Sequence, residues 1–324
     1  MAAYDGQRIT FVEQGKVEIL PFPQEKPSAG QVMVQNVASL VSAGTELSRL
    51  YDYHMVSKPF PLNTGYLSCV KVIELGEGVE DIELGKLYVA SMGHLSHLAI
   101  SPEKLLEVPE GVKPEDAVFT SLATISLRAI RQAEIKVGDS VLIKGLGLIG
   151  QFAQIFARLE GGVPVVAIDF SQNRRDIAQN TGLKNALTPS DNEQEEFKAY
   201  TKDGRFDVTI DSTGVSNVFA SLPELTADFG RVIILGGIHN KLELDLYTHI
   251  QKRSLRLIGA GSPDPRNWPY GENENKNTVL KLMQSGQLNV SALRTHHVGL
   301  NEAPEMYRML HEEKDTGLGV VFKW

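Results

Sequence analysis

Two short stretches concentrate the residue types that do chemistry. Ser42-Ala43-Gly44-Thr45-Glu46-Leu47-Ser48 gathers three hydroxyls in one small, polar segment, and Lys144-Gly145-Leu146-Gly147-Leu148-Ile149-Gly150 carries the spacing G-x-G-x-x-G. In the second stretch each glycine has a separate task. Gly145 permits a tight turn, Gly147 lets the backbone approach a pyrophosphate with no Cβ in the way, and Gly150 lets the helix that opens at Leu148 and Ile149 pack on the preceding strand. N–H groups at that helix start then meet negative charge. Asp169 lies 19 residues beyond Gly150, where a carboxylate accepts hydrogen bonds from ribose hydroxyls and repels a 2′-phosphate. This favours NAD over NADP. Arg174 and Arg175 point the other way, since either could hold a 2′-phosphate, and Phe170 completes this edge of the cofactor site. Ser212, Thr213 and Gly214 after Asp211, and the pair Gly236 and Gly237, fall where further strands should end and line the ligand crevice. Gly261 reads as an ordinary turn glycine.

The elements that would position these residues change texture along the chain. From about residue 4 to 120, short apolar alternations broken by Gly and Pro (RITFVE, KVEIL, QVMVQNV, CVKVIEL, LYVASM, LSHLAI, LLEV) predict strands of a mostly antiparallel, barrel-like domain. ATISLRAIRQAE then has helical spacing. Strands at SVLIK, VPVVAID, DVTID, RVIILG and LRLIGA alternate with helices at LIGQFAQIFARLE, SQNRRDIAQN and VSNVFASLPEL, the signature of a doubly wound parallel sheet. After a Pro-rich polar segment, SPDPRNWPYGENENKN, the chain offers a helix at TVLKLMQSG, a strand near RTHHVGL, a helix at EAPEMYRMLHEE and a last strand at GVVFKW, and it is expected to return to the first domain.

Bulk properties exclude several classes. A chain of 324 residues is too long for one compact core and suits two domains. A net charge of −8 argues against the positive field that nucleic-acid binding needs. No window approaches an uninterrupted apolar span, and MAAYDGQRIT does not look like a signal peptide, so a cytoplasmic protein is expected. Cys69 is the one cysteine, which excludes an internal disulfide and any zinc site built from several thiolates. It reads as a small buried residue of the run SCVKVIEL.

A barrel-like first domain, a nucleotide-binding middle and a returning C-terminal segment resemble the medium-chain dehydrogenase/reductase superfamily. The segments that carry the resemblance are GTE at 44–46, PLNTGYLSCVKVIELGEGV at 61–79, LLEVPEGV at 105–112, SLAT at 121–124, VGDSVLIKGLGLIG at 137–150, AIDFSQNRRDIA at 167–178 and DSTG at 211–214. The resemblance implies an α/β chain with a GroES-like, mostly antiparallel β-barrel catalytic domain at 1–122 and 262–324 and a Rossmann dinucleotide-binding domain at 123–261. It also implies that Thr124 contacts the nicotinamide side of the cofactor. Zinc-dependent members place a cysteine, a Gly-His-Glu segment and a further ligand at three positions that here read Ala43, Tyr66 with Leu67, and Thr120. Alanine and leucine have no lone pair to give, so no zinc is expected there. His94 with His97, and His296 with His297, point to opposite faces of their strands and make no site by themselves. Ser-Ala-Gly-Thr-Glu followed by Gly-Tyr is similar to the zinc-site-deficient branch that includes bacteriochlorophyllide dehydrogenase-like proteins, a likeness that identifies no substrate.

Without a metal, hydroxyls must answer the charge that develops on a carbonyl oxygen. Thr45 matches the family's proton-relaying hydroxyl and Tyr66 replaces a metal ligand beside it; Ser42, Ser48 and His54 are the second candidates. The bland alternatives are that Thr45 caps a helix beginning at Glu46 and that Tyr66 fills the vacated pocket. The expectation is a zinc-independent oxidoreductase acting with NAD(H), with NADP(H) as the alternative, on a small-molecule secondary alcohol or carbonyl. An NADPH-dependent quinone or enone reductase and a non-catalytic nucleotide sensor are the competing readings. The edge strand LRLIGA predicts a homodimer through sheet extension.

Overall fold

The computed structural model describes residues 3–53, 59–261 and 271–324. The chain divides into two compact units, Met1–Ser121 with Lys276–Trp324, and Leu122–Asn275. The first opens with β1 (Gln7–Glu13), β2 (Lys16–Pro21) and β3 (Val32–Leu40), then α1 (Ala43–Tyr51) and β4 (Leu62–Asn63). Next come β5 (Ser68–Leu75), β6 (Leu87–Ala90), β7 (His97–Ile100), β8 (Leu105–Glu107) and α2 (Pro114–Ala117). Helix α3 (Thr120–Ala133) carries the chain into the second unit, with β9 (Val141–Lys144), α4 (Leu148–Leu159), β10 (Val165–Ile168), α5 (Gln172–Asn180), β11 (Asn185–Leu187) and α6 (Glu193–Phe197). It continues through β12 (Phe206–Asp211), α7 (Ser216–Leu225), β13 (Thr226–Ile234) and β14 (Arg256–Gly259). Helix α8 (Glu272–Gln284) leads back to β15 (His296–Gly299), α9 (Ala303–Glu312) and β16 (Val320–Lys323) in the first unit.

The second unit is one parallel sheet in the order β11-β10-β9-β12-β13-β14. Its central strands, VLIK and VVAI, are buried throughout, which is why they read as continuous apolar runs and not as alternations. The order places the ends of β9 and β12 side by side, with Lys144 opposite Asp211. In the first unit a three-stranded sheet (β2-β1-β4) accompanies a seven-stranded one (β15-β16-β3-β5-β6-β8, with β7 on β3). Every pairing there is antiparallel except β15 with β16. The last strand therefore returns to the first domain between β15 and β3. Phe11, Leu50, Tyr307 and Phe322 fill one apolar cluster that binds α1 and α9 to these sheets, with the Phe11 and Tyr307 rings edge to face at 5.1 Å.

The α/β class holds: a Rossmann sheet in one unit and a separate, mostly antiparallel GroES-like assembly in the other. Boundaries shift in instructive places. The polar run ENENKN is not loop, since α8 begins at Glu272; its acidic residues sit at the helix N-terminus, where the macrodipole favours them. β13 begins at Thr226, five residues before RVIILG, and α3 begins at Thr120. No helix among the described residues is long and apolar enough to cross a membrane.

Candidate active site

The glycine loop in the second unit is built as its spacing requires. Gly145 takes φ +95°, and a Cβ there would lie 2.8 Å from Thr213 Cγ2 and 2.9 Å from Ser212 Oγ. A Cβ on Gly150 would lie 2.0 Å from the Gly145 carbonyl oxygen. Gly147 differs from both: a Cβ there meets no protein atom within 4 Å. It is the N-cap of α4, whose internal bonding starts with the Gln151 N–H on the Gly147 carbonyl at 2.9 Å. The donors of Leu148 and Ile149 precede that bond, the place where a helix start receives an anion. Ser212 holds the loop by donating to the carbonyls of Lys144 and Gly145 at 3.0 and 2.9 Å. Asp211, wholly buried, accepts from the Thr213 amide and hydroxyl and from the Gly214 amide. Gly214, at φ +70°, packs on Gly237, and Gly236 on Gly214, so closely that no side chain fits.

The acidic edge is partly occupied. Asp169 accepts from the Leu146 amide at 2.7 Å and from the Ser171 amide at 2.8 Å, and Arg174 stands 3.8 Å from its carboxylate. Arg175 is turned inward, donating to the carbonyls of Asp169 and Phe170 at 2.5 and 2.9 Å and to Gln172. The expectation that Arg175 could hold a 2′-phosphate fails on that geometry, because its guanidinium already serves the backbone. Phe170 is 82 % exposed. Thr124 is buried, and its Oγ1 has no hydrogen-bond partner among the described residues, an orphaned group of the kind a polar ligand satisfies. Dinucleotide chemistry fits these residues: an open glycine at a helix start, a carboxylate at the next strand end and an unsatisfied hydroxyl.

In the first unit the hydroxyl-rich stretch forms the start of α1. The N-cap is Ser42 and the helix begins at Ala43, so Thr45 does not cap a helix starting at Glu46; it is exposed on the first turn, with Ser48 partly exposed behind it. The Tyr66 hydroxyl donates to Ser42 Oγ at 2.7 Å, bringing together two of the five candidate catalytic residues. His54 lies outside the described residues.

Sequence reasoning missed what lies beneath this pair. Glu46 is 0 % exposed, and its carboxylate is fully enclosed by donors. Oε1 accepts from the Ser42 amide at 2.7 Å. Oε2 accepts from the Thr64 hydroxyl, from the Tyr307 hydroxyl at 2.5 Å and faces His94 Nε2 at 3.2 Å. His94 Nδ1 meets Ser39 Oγ at 2.7 Å, and Ser39 Oγ also accepts from the Trp324 indole at 2.9 Å. Burial pushes the Glu46 carboxyl up, but the charge of His94 and the hydrogen bonds from His94, Thr64 and Tyr307 outweigh it, and the net direction is down. Burial and the Glu46 charge push the Tyr307 phenol far up. Serine, histidine and carboxylate are thus linked in series, as in a nucleophilic triad. Ser39 is wholly buried, however, so no substrate reaches it and the series is structural.

The depressed carboxyl fixes a pH dependence. A carboxylate whose folded pKa lies below its ordinary 4.5 contributes stability that is complete above the unfolded value and is lost as pH falls through the folded one. Glu46→Gln is expected to lower Tm at neutral pH and to flatten the fall of Tm with acid below about pH 4.5. A Tm profile parallel to that of the unsubstituted protein would contradict this.

Among the described residues, His97, His296, His297 and Cys69 make no hydrogen bond or ion pair with Glu46. His97 stacks on Tyr4 at 5.5 Å, and burial pushes its pKa down. His296 and His297 are successive residues of β15. Burial, then Glu115, pushes the Cys69 thiol up to about 12, so it is no thiolate nucleophile. The three zinc positions offer a methyl group at Ala43, a buried Leu67 beside Tyr66, whose hydroxyl is given to Ser42, and Thr120, whose hydroxyl donates to the Ala117 carbonyl at 2.7 Å. Among the described residues no group of three or more His, Cys, Asp or Glu could hold a metal ion. These donors do not fit a tetrahedral zinc.

Residues 149–276 match the model of the zinc-binding dehydrogenase family, a span that does not reach the 43–67 segment. The chain is 28% identical over 265 residues to D-guloside 3-dehydrogenase of Escherichia coli (strain K12), covering 78% of this chain and 75% of that one. It is 25% identical over 340 residues to L-threonine 3-dehydrogenase of Pyrococcus furiosus, covering 94% of each. Among solved structures, 2R,3R-butanediol dehydrogenase from Bacillus subtilis superposes with a TM-score of 0.85 at 19% identity, over 98% of this chain and 99% of that one.

Proposed function

The chain belongs to the medium-chain dehydrogenase/reductase superfamily, and from that premise we propose that it is a zinc-independent oxidoreductase moving a hydride between NAD(H) and a secondary alcohol or its carbonyl. One observation carries the metal-free part: where zinc-dependent relatives have ligands, Tyr66 donates a hydrogen bond to Ser42 above a buried carboxylate. The names of the two relatives each specify position 3, and carbon 3 of threonine bears a secondary hydroxyl with a polar neighbour. A polyol or hydroxy amino acid is the substrate class this supports.

In this reading the unit Met1–Ser121 with Lys276–Trp324 is the catalytic domain, expected at 1–122 with 262–324, and the unit Leu122–Asn275 is the cofactor domain, expected at 123–261. Bound there, the nicotinamide would supply or accept the hydride. The loop from Gly145 to Gly150, with Leu148, Ile149, Ser212, Thr213, Gly214, Gly236 and Gly237 around it, would hold the dinucleotide, with Asp169 and Phe170 on its adenosine side and Thr124 on its nicotinamide side. As hydride reaches a carbonyl carbon, Tyr66 gives its phenolic proton to the carbonyl oxygen. Ser42 then turns its own hydroxyl to donate to the phenolate left behind, which regains a proton from solvent. Oxidation runs the same steps backwards. Thr45 and Ser48, exposed or partly exposed on α1, are secondary contacts to substrate.

Three measurements test this together: binding of NADH against NADPH, turnover over a panel of alcohols, sugars and enones, and elemental analysis of the same sample. NADH is expected to bind at least about tenfold tighter, or about 1.4 kcal/mol, with turnover on alcohols and less than stoichiometric zinc. Tighter NADPH with activity on enones would favour the quinone or enone reductase. Cofactor binding without turnover on any panel member would favour a sensor. One tightly held zinc per chain, required for turnover, would overturn the mechanism.

We also propose a homodimer in which the edge strand β14 pairs with its symmetry mate. Light scattering should give twice the mass of the 35.6 kDa chain; a monomer refutes it.

A further inference from the structure

The two hydroxyls of the proposed donor pair reside on different segments, and both segments end on one carboxylate. Ser42 is tied to Glu46 Oε1 through its amide at 2.7 Å. Tyr66 follows Thr64 and Gly65, and the Thr64 hydroxyl donates to Glu46 Oε2. The Thr64 carbonyl in turn accepts the His94 amide at 2.9 Å. Gly65 takes φ +82° and lies so close to His94 that a Cβ would stand 2.6 Å from its Cγ and its amide nitrogen. His94 is itself paired with Oε2 of the same carboxylate. The segment carrying Tyr66 therefore rests on Thr64 and His94, the segment carrying Ser42 rests on the other oxygen, and Glu46 joins the two.

We propose that Glu46 is the positioning residue of the Ser42–Tyr66 pair, a buried clamp whose two oxygens fix the separation of the acceptor and donor hydroxyls. Glu46 touches neither substrate nor cofactor in this role; it acts through Ser42 on one side and Thr64 on the other. A carboxylate suits the task because only an ionised acid accepts from four donors at once, and burial makes each bond strong and directional. The proposal rests on the reading of Tyr66 as proton donor.

The test compares E46Q, T64V, T64S and Y66F by turnover on the best alcohol of the panel and by NADH binding, and compares the Tyr66 Oη to Ser42 Oγ distance in crystal structures of the unsubstituted chain and E46Q. E46Q is expected to lower kcat about 10- to 100-fold with NADH affinity unchanged. E46Q should also lengthen the Tyr66 Oη to Ser42 Oγ contact beyond its 2.7 Å. T64V leaves three of the four donors on the carboxylate and so leaves the fold in place; it is expected to lower kcat about tenfold with NADH affinity unchanged, and T64S to restore kcat to within about twofold. If Y66F abolishes turnover while E46Q and T64V do not lower it, Glu46 is no clamp, and the reading of Tyr66 stands. An unmoved Tyr66–Ser42 contact in E46Q likewise overturns the clamp, whether or not a substrate has been found. If Y66F turns over normally, it is the donor reading that has failed.

Discussion

Tyr66→Phe is expected to lower kcat by about 10²- to 10⁴-fold, the range by which a positioned proton donor accelerates a transfer, and to leave the affinity for NADH where it was. The ring remains, so the packing of the Gly65 turn against His94 is kept and only the bond to Ser42 Oγ is lost. The loss should appear in both directions, because the group that gives the proton in reduction takes it back in oxidation. Ser42→Ala removes the acceptor while retaining the donor, and is expected to have a smaller effect of the same sign. Steady-state rates with matched NADH binding curves decide the matter. A Tyr66→Phe enzyme with unaltered kcat would show that another hydroxyl, or water, serves the developing alkoxide.

Gly147 and Gly150 should separate binding from folding within a single loop. A valine at Gly147 projects where no protein atom lies within 4 Å, and the glycine's φ of −63° is one any residue adopts. The chain should fold with Tm little changed, yet the new side chain fills the space needed by the pyrophosphate. A loss of NADH affinity of at least about a hundredfold, or about 2.8 kcal/mol, is expected. Gly150→Ala inverts the pattern. Its Cβ would meet the Gly145 carbonyl oxygen at 2.0 Å, a backbone group that can yield only if helix and strand move apart, so a clear fall in Tm should come first. Calorimetry beside an NADH titration distinguishes the two. If Gly147→Val bound NADH normally, the loop would not be the pyrophosphate site.

The Rossmann sheet was legible because its strands are short, continuous apolar runs and its loop glycines follow a fixed spacing; five of the six strands can be read directly. The sixth, β11, is three partly buried residues, Asn185–Leu187, too short to carry a period. The hydroxyl pair was half legible: Tyr66 stood out as a replacement, whereas its bond to Ser42 joins residues 24 apart and leaves no local trace. Glu46 was missed although a signal existed. Once α1 is placed at 43–51, Glu46 shares its inward face with Leu47 and Leu50, and an acid on the apolar face of a helix calls for buried partners. Those partners, Thr64, His94 and Tyr307, lie 18, 48 and 261 residues away, and only the fold brings them in. Asp169 illustrates the reverse case: its place at a strand end was evident, but its bonds to Leu146 and Ser171 depend on loop geometry that spacing does not encode.

The place of β16 also orders the birth of this molecule. On the ribosome, every strand of the parallel sheet emerges before Val320, so that unit can close while the nascent chain is still growing. In the larger antiparallel sheet β7 can pair with Val32–Gln35 of β3, but Ala38–Leu40 of the same edge wait until β16 arrives to register against them. The indole that completes Ser39, and through it His94, belongs to Trp324, directly after β16. Assembly of the polar centre beneath Tyr66 is thereby deferred until residues 320–324 have emerged.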